Sequence, residues 1–447
     1  MDKNVLFFTF IILMATFQGF TQNKWSLDAC IAFAQENNLI NKGNTYVTSI
    51  KKESFQQSKR DFLPTVSGSI GYNLGFGRYI DPNTNDIINT KSYSNSYSLG
   101  TSLMLFNGFR QWNHISQKRL LYEASLEFLL DAKYELAFQV MDAFYLVKFN
   151  EGLFQVSKER QELTSINYKM ISAKVKLGLK AKSDLYEIES NLAVDELRIT
   201  QAQNQLEESV LNLMQIMNLV GPPIKLQSES NLFIQINENP MMDIDSTFNK
   251  SNEFLPEIKM EKLNLSVAEK GLSITKSNLY PQISLGFGLG TGFYQTKFDL
   301  NGNTIPFFDQ ILDNVSKSIG IYMSVPIFNK WSVRSSIKIA KIGILERTNN
   351  LEQKRQNVYK EIQKVFQKNE ALLAEKQGNE LSLKAKELAF TIAQKKFTNG
   401  ILSIYELQQS KNNLTLAKIE KIRIGLQLRY QEKTIDYYNG IPVFQFN

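Results

Sequence analysis

Cysteine and histidine are almost missing from this 447-residue sequence, which contains one of each, Cys30 and His114. A single cysteine cannot form an intramolecular disulfide, and these two residues form no cluster with metal-ligand spacing. The sequence also has no Gly-Lys-Ser/Thr phosphate loop, and no nucleophile has an evident general base. We therefore predict that the protein is not an enzyme and that it has no cofactor or metal site.

Clusters of one charge sign are missing as well. The 51 basic and 44 acidic residues are interspersed along the predicted helices and leave a net charge of +7. A nucleic-acid surface would need basic residues concentrated on one face with interleaved aromatic residues. No nucleic-acid partner is predicted.

Long apolar runs do not occur after the N-terminal segment. Residues 5–17 are apolar and precede Gly19-Phe20-Thr21, a pattern typical of an export signal that is cleaved after Thr21. This run is too short to span a membrane as a helix, and no later run approaches the required length. We expect residues 1–21 to be a signal peptide, and any later membrane segment to consist of strands.

Proline and glycine are scarce in two long stretches. No proline occurs from Asn83 through Gly221, or between Pro326 and Pro442. Each stretch predicts two long helices separated by a glycine turn. In the first stretch the helices are at about 108–177 and 183–220, and in the second at about 330–398 and 402–438. In the second helix, apolar residues recur every seven positions: Leu185, Leu192, Ile199, Leu206, Leu213 and Val220. Heptad spacing predicts that the helices pack as antiparallel coiled coils.

Four other stretches alternate apolar residues with glycine and serine, and predict strands at about 62–77, 92–106, 282–293 and 317–328. Such strands usually bury their apolar face in a soluble core. The solvent-facing side of a soluble sheet, however, normally carries charged residues rather than glycine and serine. Each predicted strand has at least ten residues, about the number that crosses a bilayer when tilted. The pattern favours a membrane β-barrel. Because four strands cannot close one, several copies must share it, and eight strands from a dimer would also be permitted.

The second half of the sequence repeats the first. Phe106-Asn107 and Phe328-Asn329 are 222 positions apart, and the same offset relates Gly178 to Gly400. An internal repeat of this length defines the fold before any local pattern does. We predict repeats at 22–223 and 224–447, each with a helix, a β-hairpin, a very long helix, a glycine turn and a second long helix. The fold class is mostly α with membrane β.

In both halves the sequence resembles the TolC family of outer-membrane efflux and secretion channels. The motifs that carry the resemblance are Trp25-Ser26-Leu27-Asp28-Ala29, Phe62-Leu63-Pro64, Leu105-Phe106-Asn107-Gly108, Lys176-Leu177-Gly178-Leu179 with Ser183-Asp184-Leu185, Tyr280-Pro281, Pro326-Ile327-Phe328-Asn329, and Lys396-Phe397-Thr398-Asn399-Gly400 with Tyr405-Glu406-Leu407. The resemblance implies a homotrimer whose twelve strands form one barrel in the outer membrane of a Gram-negative bacterium. It also implies that the coiled coils continue as a helical tunnel across the periplasm.

The resemblance also suggests two sites. In the family, the helix-turn tips meet a periplasmic adaptor protein, and the matching residues here are Lys176, Leu177, Gly178, Leu179, Lys396, Phe397, Gly400 and Ile401. Either glycine would also serve simply to reverse the chain. The family narrows its pore mouth with aspartate rings. Glu406 matches the first ring by spacing, Gln409 departs from the second, and Asp184 is the first-repeat counterpart of Glu406, so all three are expected at the periplasmic aperture.

The function implied is a passive conduit from periplasm to exterior, the outer component of a tripartite efflux or type I secretion system. Its expected partners are two further copies of the chain, outer-membrane lipid, a periplasmic adaptor (membrane fusion) protein and an inner-membrane pump of the RND or ABC type. The alternative is an exported coiled-coil scaffold without channel activity, whose sheet packs on itself in solution.

Overall fold

A computed structural model describes residues 24–80, 85–227, 243–295, 297 and 303–444 of the chain. The expected signal peptide lies outside these residues. The elements, in chain order, are α1 (Leu27–Asn37), α2 (Leu39–Arg60), β1 (Thr65–Ile80), β2 (Ile87–Phe106), α3 (Arg110–Lys176), α4 (Lys182–Met217), α5 (Ile244–Phe254), α6 (Pro256–Ser277), β3 (Gln282–Tyr294), α7 (Phe307–Asp313), β4 (Ser316–Ser324), α8 (Ser332–Thr398) and α9 (Ile404–Tyr438).

The described residues form two compact units, and each unit draws on both sequence repeats. The sheet unit comprises Val47–Glu127 and Lys259–Gln353. The helical unit comprises the described residues up to Tyr46, Phe128–Ile258, and those from Lys354 onward. The long helices α3 and α8, of 67 residues each, contribute to both units.

The sheet unit contains one four-stranded antiparallel sheet in the order β1-β2-β3-β4. Its register pairs apolar residues with apolar residues across neighbouring strands, as in Leu74 with Tyr93, Leu99 with Leu289 and Leu285 with Ile321. Directly paired residues share a face of the sheet. The apolar faces of all four strands therefore coincide on one side, and the glycine and serine residues line the other.

The apolar face is largely open to the surroundings, and so are both edges of the sheet. Side chains on the edge strands have high exposed fractions: 80% for Ile70, 71% for Phe76, 76% for Ile319 and 69% for Ile321. Within the described residues, β1 and β4 each have a strand neighbour on one side only. The chain's own helices therefore do not seal these side chains into a soluble core.

The fourth strand is shorter than expected. It has nine residues and ends at Ser324, rather than at least ten residues extending to about position 328. Pro326 follows two residues later and has no N–H to donate to a ladder, which explains why pairing stops there.

Two helices occur where the sequence suggested irregular chain. Residues 224–252, with Pro240 and several asparagines, predict an irregular connector, but α5 begins within them after Asp243, whose carboxylate accepts from the N–H groups of Asp245 and Ser246. Residues 294–317, with Asn301-Gly302-Asn303 and Pro306, predict a loop between the third and fourth strands, but α7 lies within this segment and follows Pro306. α5 is mostly polar, and α7 has only seven residues, too few to establish an apolar period.

The junctions between strand and long helix preserve the sequence duplication in the backbone. Gly108 and Phe109 have φ of +66° and +62°, and the residues 222 positions later, Lys330 and Trp331, have φ of +53° and +65°. Two consecutive left-handed residues turn the chain from β2 into α3 and from β4 into α8. Lys330 adopts this conformation without being glycine, at a cost of roughly 1 kcal/mol.

The helical unit has its largest core around Val140, Met141 and Phe144 of α3. α1 packs against this core and begins at the expected N-cap, where Ser26 Oγ accepts from the N–H of Ala29 at 3.2 Å. The expected heptad series in α4 is interrupted at its end. The helix stops at Met217 because Asn218 adopts a left-handed conformation, and Val220 is 97% exposed instead of packed.

Candidate functional site: the paired helix tips

Both long-helix pairs reverse through the same backbone motif. Gly178 and Gly400 have φ of +71° and +76°. The N–H of each glycine donates three residues back, to Val175 and Phe397, and the next N–H donates five residues back, at 2.8 to 2.9 Å. This is the Schellman arrangement, in which glycine supplies the left-handed residue and the final carbonyls of the helix are satisfied. A Cβ at either glycine would have no atom within 4 Å, so backbone conformation alone requires glycine here.

The two tips lie together within the helical unit. Ile171, Ile188, Phe397, Ile404 and Leu407 form one buried apolar cluster supplied by all four helices. The Lys174 ammonium donates to the carbonyl of Thr398 at 3.0 Å, at the carboxyl end of α8, where a cation is favoured. The two glycine turns therefore lie side by side.

The predicted docking residues divide into surface and interior. Leu177, Leu179 and Ile401 are 74%, 70% and 73% exposed, and both Lys176 and Lys396 are exposed. Phe397, in contrast, is only 3% exposed and belongs to the buried cluster between the tips. The tip therefore presents aliphatic side chains and ammonium groups, with Phe397 fixing the turn from inside.

Glu406 has a local structural partner. It forms a capping box with Ser403 at the start of α9: Ser403 Oγ accepts from the N–H of Glu406 at 3.2 Å, and the carboxylate accepts from the backbone N–H and the hydroxyl of Ser403 at 3.0 and 2.8 Å. The hydrogen bond from the Ser403 N–H, followed by that from its hydroxyl, holds the pKa of Glu406 below its ordinary value. The carboxylate is therefore exposed, ionised near neutral pH and held in a defined direction.

The other two aperture candidates differ from Glu406. Gln409 lies on the exposed surface of α9 and carries no charge. Asp184 is half-buried in the first turn of α4 and pairs with Lys180 at 3.3 Å. The first-repeat carboxylate is thus partly neutralised within its own tip.

The long helices also contain a buried ion network that the sequence patterns did not predict. Arg160 Nε donates to one oxygen of Asp195 at 2.6 Å, and Lys411 Nζ and Thr164 Oγ1 donate to the other at 2.8 and 2.6 Å; Lys411 also donates to Thr164. Each of these side chains is at most 5% exposed. The network connects α3 and α4 of the first repeat to α9 of the second.

Opposing effects set the protonation states of the network. Burial raises the pKa of Asp195, but the hydrogen bonds from Lys411, Thr164 and Arg160 outweigh it, and the pKa lies below its ordinary value. Burial, reinforced by Arg160 and opposed by Asp195, lowers the pKa of Lys411. Two buried cations thus share one carboxylate, and Asp195 is the group that both need.

Other kinds of site are not found in the part of the chain that the structure describes. No group of three or more His, Cys, Asp or Glu side chains there could hold a metal ion. None of the described helices is both long and apolar enough to cross a membrane.

Several solved structures share this fold. One is CusC, solved in a study of the conformational changes that accompany folding and transmembrane channel formation. CusC is 17% identical to this chain, the match covers 92% of this chain and 91% of CusC, and the TM-score is 0.78. The CmeC outer membrane channel of Campylobacter jejuni has 15% identity, coverage of 93% and 86%, and a TM-score of 0.75. The open state of the MtrE outer membrane channel of Neisseria gonorrhoeae has 16% identity, coverage of 93% and 88%, and a TM-score of 0.74.

No curated protein sequence is significantly similar to this chain. Residues 51–219 and 251–440, however, match the family described as outer membrane efflux protein. The match covers most of both repeats, and the tandem fold confirms the resemblance to TolC-like channels. The chain therefore belongs to the outer membrane efflux protein family.

Proposed function

We propose that this protein is a passive, homotrimeric conduit from the periplasm to the exterior, the outer component of a tripartite efflux or type I secretion system. The observation that carries the proposal is the sheet, which has an exposed apolar face, an uncharged face of small residues and, among the residues that the structure describes, no strand beyond either edge. Unpaired strand edges are not tolerated in lipid. Three copies, joined β1 to β4, would close a twelve-stranded barrel with its apolar face toward lipid and its glycine and serine face toward water.

The tips suit a protein partner at the periplasmic end. Leu177, Leu179 and Ile401 are exposed aliphatic residues at the hydrogen-bonded turns, and the exposed Lys176 and Lys396 lie near them in sequence. An apolar centre with a charged rim is the usual anatomy of a protein interface. A periplasmic adaptor would dock here and connect the conduit to an inner-membrane pump of the RND or ABC type, which would supply the energy.

Glu406 would line the aperture of the assembled channel. Three symmetry-related carboxylates in a narrow aqueous constriction attract cations and repel anions. The capping box fixes the direction of each carboxylate, and the uncharged Gln409 contributes no second ring. We propose that Glu406 supplies this single acidic ring and that Asp184 adds less negative charge to the aperture, because Lys180 partly neutralises that carboxylate.

The test is assembly and conductance of the full-length protein. Purified from outer membranes in detergent, it should have the mass of a trimer by light scattering, dissociate to monomers on heating, and give discrete single-channel currents in planar bilayers. A monomer that stays soluble without detergent and gives no current would overturn the proposal and favour the coiled-coil scaffold.

A further inference from the structure

Helix α7 lies beside the last residues of β3, where β4 no longer pairs with that strand. The last pair between β3 and β4 is Gly290 with Ser316, yet β3 continues to Tyr294. Backbone groups at the upper end of β3 therefore face an edge that β4 does not reach. α7 lies at this edge.

Side-chain amides take the place of the missing strand. The N–H of Tyr294 donates to Gln310 Oε1 at 2.9 Å, and Gln310 Nε2 donates back to the carbonyl of Tyr294 at 3.0 Å. Asn314 Nδ2 donates to the carbonyl of Gly292 at 2.6 Å. Gly292 and Tyr294 are alternate residues, as expected for groups that point toward one edge. Gln310 is fully buried, so α7 is a fixed cap on β3.

The cap lies on the apolar face of the sheet and adds to its exposed apolar surface. Thr291 Oγ1 donates to the carbonyl of Ile311 at 2.6 Å, and the rings of Phe293 and Phe307 are 5.4 Å apart. On the outer side of α7, Phe308 and Leu312 are 76% and 73% exposed. They are four residues apart and form one strip on the helix.

The lengths of the two edge strands indicate what covers this strip. β1 has 16 residues and β4 has nine. In the proposed barrel, β4 pairs with β1 of the next copy, and the apolar faces must coincide across the seam. Pairing Thr65 of the partner subunit with Ser324 satisfies that condition, and nine pairs then use the partner's β1 up to Asn73. The remainder of that strand continues past the end of β4, alongside α7.

We propose that α7 joins neighbouring copies, with Phe308 and Leu312 packed against Leu74 and Phe76 at the upper end of the partner subunit's β1. Leu74 and Phe76 lie on the apolar face and are 51% and 71% exposed in the single chain. The same helix would thus complete β3 within its own chain and cover β1 of the next. This inference rests on the proposed trimeric barrel and identifies a contact within it.

Disulfide formation in the full-length trimer tests the contact. The variant Phe308→Cys/Phe76→Cys should give covalent dimers and trimers on oxidation, seen after alkylation and denaturation without reductant. The native Cys30 can stay, because it is fully buried. The matched control is Asp309→Cys/Phe76→Cys, since Asp309 is exposed on another side of α7 and should give monomers only.

Two further measurements separate the possible failures. Phe308→Ser should lower the temperature at which trimers dissociate, and Asp309→Ser should leave it unchanged. One result would overturn the inference alone: trimers that conduct, give no specific cross-link, and keep the wild-type dissociation temperature in Phe308→Ser. In that case lipid covers α7, and the proposed function still stands. Absence of trimers in the wild-type protein would instead overturn the proposed function, and the inference with it.

Discussion

Asp195 occupies a heptad position whose neighbours in the series are Ile188, Ala202 and Ser209, all buried. The leucine series of α4 drew attention to the adjacent seam, whose members Leu185, Leu192, Ile199 and Leu206 are only half-buried. The presence of a charged residue, Asp195, in the otherwise uncharged series Ile188, Ala202 and Ser209 was the available sequence signal for the ion network. Its partners could not be identified from sequence, because Lys411 lies 216 residues away and on the other repeat.

At the residue scale, the first prediction concerns this shared carboxylate. Asp195→Asn should destabilise the folded protein by about 3–5 kcal/mol, because it leaves two buried cations without a counter-charge. Lys411→Met should cost clearly less, since Arg160 stays paired with Asp195. Thermal unfolding of the purified protein measures both. Equal losses in the two variants would contradict the idea that Asp195 is the group both cations need.

The second prediction concerns Glu406. Glu406→Gln removes the charge, and glutamine can still complete a capping box with Ser403, so the tip should remain intact. Reconstituted trimers should then lose cation preference, measured as a shift of the reversal potential toward zero in a salt gradient. Glu187→Gln, an exposed carboxylate on α4, is the control and should leave selectivity unchanged. Wild-type selectivity in Glu406→Gln would exclude Glu406 as a gate residue.

At the scale of elements, periodicity was informative wherever an element was long. The alternation in 282–293 corresponds to the observed β3, Gln282–Tyr294, and the proline-free stretch to α3, Arg110–Lys176. Short elements such as α7 escaped because their stability comes from tertiary contacts, here the amides of Gln310 and Asn314 on β3. The tips were predictable as turns, but the inward position of Phe397 depended on packing among four helices.

The third prediction concerns the second tip. Gly400→Pro is incompatible with φ of +76° and removes the N–H that donates to Phe397, so the docking surface should be lost. Export in cells that contain the cognate adaptor and pump should be abolished, while membrane trimers persist on unheated gels. Gly400→Ala meets no atom within 4 Å and bears only the conformational cost of about 1 kcal/mol, so it should retain export. Loss of trimers in Gly400→Pro would identify Gly400 as a folding residue instead.

At the scale of the whole molecule, the duplication gives one chain four strands, which are too few to close a barrel. Each repeat supplies one hairpin, and in the described part of the chain the joined hairpins leave β1 and β4 without a strand on their outer edges. A sheet with one exposed apolar face and two open edges is incomplete in water and in lipid alike. In the proposed trimer, strands from further copies complete the sheet, and this connects the sequence repeat to the proposed conduit.

The last prediction tests which face of the sheet meets lipid, using adjacent residues of β1. Ile70 is on the apolar face and Ser69 on the small-residue face, at nearly the same depth. Ile70→Lys should cost about 2–4 kcal/mol if its side chain enters the hydrocarbon, and should sharply reduce the fraction of protein assembled as membrane trimers. Ser69→Lys loses only an exposed hydrogen bond to Ser98 and would place its ammonium in the aqueous lumen, so trimers should form and anion conductance should rise. The reverse ranking would mean that the glycine and serine face is turned toward lipid, and the proposed barrel would be wrong.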